Sequence, residues 1–118
     1  MSEKLIRQFV TAEGKREIDQ WIAKYPPHEK RSAVMSALMI VQEEQGYLTK
    51  EMMDAVAEYL DMPPIAVYEV ATFYTMYEHK PIGRHLLNVC TNISCKLRGS
   101  SAIVELLENK LDIKLGET

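Results

Sequence analysis

The sequence predicts an α+β protein, with a bundle of short helices over residues 1–80 followed by the first part of an α/β domain over residues 81–118. Three observations predict it. Before residue 80, apolar residues recur at helical spacing in four successive segments separated by prolines or a glycine. After Pro81-Ile82-Gly83 the pattern changes to a short apolar run, Arg84 to Cys90, of a length that suits a buried strand. A helical run then starts at a serine, the residue type that caps helices.

Taken in order, Ile18, Trp21, Ile22 and Tyr25 follow the i, i+3, i+4, i+7 spacing of one helical face after Gly14, and Pro26-Pro27 ends that helix. A second helix is expected from about His28 to Gln45, with Val34, Ala37, Leu38 and Val41 on its apolar face and Gly46 placed to take a positive φ beyond its end. Thr49 is the expected N-cap of a third, in which Met53, Val56, Ala57 and Leu60 share a face and Glu51 sits in the first turn, where the helix dipole favours an anion. Asp61 to Pro64 closes it, and a fourth helix is expected over Ile65 to Met76, since a proline costs little in a first turn. The strand Arg84 to Cys90 follows, carrying Leu86, Leu87 and Val89. Ser100 or Ser101 caps a fifth helix with Ile103, Val104, Leu107 and Leu111 on one side, and Ile113 to Leu115 reads as the start of another strand. A lone strand leaves its backbone groups unpaired on both sides, so this strand–loop–helix unit implies further strands that the sequence scarcely supplies.

Composition narrows the function. Hydrophobic residues make up 47% and charged residues 26%, which points to a packed core. The formal charge of −3 lacks the basic excess of a general nucleic-acid binder. The longest apolar stretches are too short to cross a bilayer, and no apolar leader follows Met1, so any membrane association is expected to be indirect. With only two cysteines, Cys90 and Cys95, the reducing cytosol is the expected compartment and a structural disulfide the weaker reading.

Those cysteines carry the chemistry. Cys90-Thr91-Asn92-Ile93-Ser94-Cys95 sets two thiols at the end of the expected strand and in the loop before a helix, where backbone amides and a helix N-terminus stabilise an anionic thiolate. From His79 to Val104 there is no Asp or Glu, whereas Lys80, Arg84, Lys96 and Arg98 fall in that window. Such a local positive field favours an anionic thiolate-held cluster. Spacing alone leaves a plainer alternative, two buried cysteines that pack as small apolar side chains. The histidines at 28, 79 and 85 read as surface or turn residues, the methionines as core, and Glu43-Glu44 as a solvated helix face.

Several stretches then occur together in order: Gly46-Tyr47-Leu48, Val67-Tyr68-Glu69-Val70-Ala71-Thr72-Phe73-Tyr74, Cys90 to Cys95 with Leu97-Arg98-Gly99, and Gly116-Glu117-Thr118. They closely resemble the family of the 24-kDa subunit of respiratory complex I, known in bacteria as the E subunit of NADH:quinone oxidoreductase. The resemblance implies a helical bundle joined to a thioredoxin-like domain that holds one [2Fe–2S] cluster. It maps the family's first ligand pair onto Cys90 and Cys95, with Lys96, Arg98 and the amides of Thr91 to Cys95 as electrostatic support and no catalytic residue of the chain's own. The family's second pair, a CxxxC, has no counterpart here, so an N-terminal fragment that alone holds no stable cluster is expected, with pairing through exposed sheet edges. The implied partner is the flavoprotein subunit that binds NADH and FMN, at the cytoplasmic side of the inner membrane; related hydrogenases and formate dehydrogenases use similar modules. Two other classes stay open: a thiol–disulfide oxidoreductase using Cys90 and Cys95, and a structural helical subunit in which they are spectators.

Overall fold

The computed structural model describes residues 2–118. Contacts group the chain into two compact units, one ending at Pro81 and the other spanning Ile82–Thr118. The first unit contains α1 (Ser2–Ile6), α2 (Ala12–Ile22), a 3-10 segment (Pro27–Ala33), α3 (Val34–Gln45), α4 (Lys50–Tyr59) and α5 (Pro64–Phe73). The second contains α6 (Ile93–Leu97) and α7 (Ser100–Leu111).

Local chemistry sets the helix ends. Thr11 caps α2 by accepting from the Gly14 amide, and Thr49 caps α4 by accepting from the Met52 amide. Gly46 ends α3 with φ 88°, a left-handed conformation that costs glycine nothing. The α4 end uses Asp61 at φ 54°, with Met62 N donating to Ala57 O and Asp61 N donating to Glu58 O, so the last carbonyls are satisfied without a glycine. The stretch before Val34 is 3-10 rather than α, with a kink at Glu29, and the expected helix from residue 28 is therefore α-helical only from Val34. Helix α5 stops at Phe73, three residues before the expected end, because Tyr74 turns extended at ψ 119°.

The core belongs to the first unit. Ile6, Ile18, Leu38, Val41, Leu48, Val56, Leu60 and Val67 are fully buried, and α4 packs against α1, α3 and α5. Each such side chain contributes roughly 1.5–3 kcal/mol of burial. Polar side chains from the end of α3 then fasten two loops to it. Gln42 donates to Met76 O (2.9 Å) and accepts from Glu78 N (2.7 Å), and Gln45 donates to Phe9 O (2.7 Å). Glu44 accepts from both Thr11 N (2.6 Å) and Thr11 Oγ1 (2.8 Å), tying the start of α2 to α3.

Glu44 is thus a loop anchor rather than the purely solvated residue its sequence context suggests. A Cβ on Gly14 would meet its carboxylate, which would have to shift to make room. Replacing Glu44 with Ala is expected to cost about 1–2 kcal/mol, the worth of a lost cap with charge-assisted hydrogen bonds, read as a lower urea midpoint at unchanged slope.

Tyr77 closes the bundle. It is buried, donates to Met35 O (3.0 Å), and burial pushes its hydroxyl up to about 12 from an ordinary value of 10. A raised folded value means the contribution is complete below pH 10 and is lost as pH rises toward 12. Tyr77→Phe is expected to be less stable than wild type by about 0.5–1.5 kcal/mol at pH 8. That gap should shrink between pH 10 and 12, as read from urea titrations at each pH.

The second unit shows the helical part of the expected α+β class alone, since no strand forms among the described residues. Arg84 to Cys90 is irregular, and none of its backbone groups enters a hydrogen bond among the described residues. The reason is non-local: a strand exists only by pairing, and among the described residues no strand is there to pair with it. Ile113 to Leu115 is irregular instead and leads into a turn at Leu115-Gly116; Ile113 N donates to Glu108 O and Leu115 N donates to the Glu108 carboxylate.

Candidate functional site

The structure places Cys90 at the end of the irregular segment and Cys95 inside α6, with Asn92 between them as the N-cap. Asn92 sits at φ −67° and ψ 169°, its side chain accepts from Ile93 N (2.9 Å), and its carbonyl accepts from Lys96 N (2.8 Å). Sequence pattern does not predict this short helix; Asn92 just ahead of Ile93 is its one signal. The turn it makes leads directly from Cys90 into the helix that carries Cys95.

Both thiols are free and exposed, which overturns the reading of them as core packing. The Asn92 amide, followed by the Cys95 thiol, donates toward the Cys90 sulfur and lowers its pKa below the ordinary thiol value. Cys95 moves the opposite way, raised by its hydrogen bond to Cys90 and by the charge there. Cys90 is therefore expected to alkylate faster than Cys95 with iodoacetamide near pH 8, as peptide mass spectrometry would read.

The surroundings are cationic. Lys96 lies in α6 and Arg98 caps it, both exposed, and no ion pair among the described residues engages either. Ser100 does not cap α7 as expected; Gly99, at φ 100°, takes that place. Ser100 is instead the first residue of α7, buried with a hydroxyl that has no partner among the described residues. His28 and His85 are exposed, and His79 is exposed as well apart from its contact with the Ala71 carbonyl, at 3.0 Å. No cluster of three or more metal-ligating side chains exists among the described residues.

The donor set fits half of a cluster. Two thiolates bind one tetrahedral metal at about 2.3 Å each, and Cys90 and Cys95 are two free, exposed thiols in one short loop. Each iron of a [2Fe–2S] centre takes two protein thiolates besides the bridging sulfides. The pair suits one iron, and the sequence has no further cysteine for the other.

A cationic loop with two exposed thiols close in sequence defines a class, proteins with a surface thiol pair. Within that class the chain belongs to the thioredoxin-like [2Fe-2S] ferredoxin family, whose model matches residues 18–118. It is 46% identical over 104 residues to the second NADH-quinone oxidoreductase E subunit of Rhizobium meliloti (strain 1021), covering 88% of this chain and 61% of that protein. Against the NADH-quinone oxidoreductase E subunit of Rickettsia conorii it is 46% identical over 101 residues, covering 85% and 60%. Against its Rickettsia prowazekii counterpart of the same name it is 47% identical over 98 residues, covering 82% and 55%. The chain thus spans little more than half the length of the relatives it matches. No helix among the described residues is long and apolar enough to cross a membrane.

Proposed function

We propose that the chain serves as an electron-transfer subunit of an NADH:quinone oxidoreductase, with Cys90 and Cys95 as ligands to one iron of a [2Fe–2S] cluster. The observation that carries this reading is the exposed thiol pair in a carboxylate-free, cationic loop, in a chain whose relatives are named as the E subunit of that enzyme. Residues 81–118 are then the N-terminal portion of a thioredoxin-like domain and residues 1–80 its helical attachment. When bound, the cluster would carry one electron at a time, exchanged with FMN on a partner flavoprotein subunit that also binds NADH. The complex would hold the chain at the cytoplasmic face of the inner membrane.

The chain's own residues have three tasks. Cys90 and Cys95 hold the iron. The Asn92 backbone favours the anionic form of Cys90, whose pKa it lowers. Lys96 and Arg98 offset negative charge at the site, which favours assembly and raises the potential of whatever anionic centre sits there.

The test is made in the assembled oxidoreductase. Anaerobic NADH is expected to reduce a [2Fe–2S] centre seen by EPR, and that signal should be missing from complexes carrying Cys95→Ala while the flavin is still reduced. An unaltered [2Fe–2S] signal in that variant complex would overturn the assignment.

A further inference from the structure

We propose that the groove between α2 and α3 is a docking site for an amphipathic helix of a protein partner, one that carries lysine or arginine beside its apolar face. The groove has a volume of about 430 Å³ and opens to solvent. Its lining comes from one face of each helix: Glu17 and Trp21 from α2, and Met35, Met39, Ile40 and Glu43 from α3. Glu17 and Trp21 are four residues apart, as are Met35 and Met39, and Met39 and Glu43, so each set shares a face. Trp21, of the residue type that contributes most at protein interfaces, is 37% exposed.

The chemistry of the lining selects the occupant. Both walls are helices whose backbone groups are paired internally, so the groove offers no row of donors and acceptors to an extended peptide. A segment that brings its own satisfied backbone, a helix, suits it. Met35 and Met39 give an apolar floor that adapts to the side chains laid on it. Glu17 and Glu43 set the charge beside that floor; both are exposed, and no ion pair among the described residues engages either. The Trp21 ring accepts a cation as well, since Lys24 Nζ stands 3.4 Å from its centroid. Two uncompensated carboxylates and a cation-accepting ring around an apolar floor are complementary to a basic amphipathic helix and repel an acidic one. A second copy of this chain does not supply such a helix. None of α2, α3, α4, α5 and α7 has more basic than acidic residues, and the net charge is −3.

Trp21 is the single tryptophan of the sequence, so its fluorescence reads the groove directly. The purified 118-residue chain is titrated with a tryptophan-free synthetic helix of about eighteen residues, leucine on one face and lysine on the other. A counterpart with glutamate in place of every lysine is titrated alongside, at a salt concentration that screens charges beyond roughly 10 Å. The lysine peptide is expected to shift Trp21 emission to shorter wavelength and to bind at least about tenfold more tightly than the glutamate peptide. Glu17→Gln combined with Glu43→Gln should weaken its binding about tenfold, the worth of two ion pairs. Glu69→Gln combined with Glu105→Gln removes the same charge from exposed positions outside the groove and should change binding by less than about twofold. Equal weakening by the two double variants would mean diffuse attraction to an acidic chain and would overturn the proposal. Binding that leaves Trp21 emission unmoved, equal binding of both peptides, or no binding would overturn it too. Self-association that shields Trp21 without any peptide would make a second copy the occupant and likewise refute a basic helix.

Discussion

Amide hydrogen exchange is expected to divide the chain near Pro81, with the slowest amides of α3 and α4 exchanging at least about a thousandfold more slowly than those of α6 and α7. Every buried apolar side chain among the described residues lies at or before Tyr77, and none lies in 82–118. In the second unit Leu86, Leu87, Ile103, Leu106 and Leu115 are all at least half exposed, so its helices gain little from burial. Helix α7 has twelve residues and no side-chain N-cap, a length at which an isolated helix is marginal in water. Its amides should therefore be protected by no more than about tenfold. The bundle helices open only with the core. Equal protection in both units would show that the second has a core of its own, contrary to its exposure pattern.

The second large effect concerns Cys95. In the assembled oxidoreductase, Cys95→Ala is expected to lower cluster occupancy by at least about tenfold, while the stability of the isolated chain to urea stays within about 0.5 kcal/mol of wild type. The split follows from exposure: Cys95 is a free thiol on the surface of a five-residue helix, so its loss opens no cavity. A spectator cysteine would leave both quantities unchanged, and a packing cysteine would lower stability. Occupancy falling alone is the signature of a ligand.

Much of the bundle could be read from the chain because its determinants are local. Thr49 and Gly46 mark helix ends by their own side-chain and backbone chemistry, and the Val34, Ala37, Leu38, Val41 stripe needs only helical spacing. Glu44 could not be read so, because its role depends on Thr11, thirty-three residues away. The strands failed for the same reason in a stronger form. Leu86, Leu87 and Val89 have the composition of a buried strand, but a strand is a property of pairs, and the pairing segment is not supplied by residues 84–118. At the site, spacing identified the residues but not their state. Exposure of both sulfurs, and the Asn92 turn between them, required coordinates.

Ligated thiolates are shielded from electrophiles, and this gives the most direct test of Cys90 and Cys95 as iron ligands. The assembled oxidoreductase is treated anaerobically with a maleimide, before and after its clusters are dissolved by acid and chelator, and the peptides containing Cys90 and Cys95 are weighed. Both cysteines are expected to stay unmodified in the intact complex and to be fully modified afterwards. Modification of either one while the [2Fe–2S] signal persists would contradict the account.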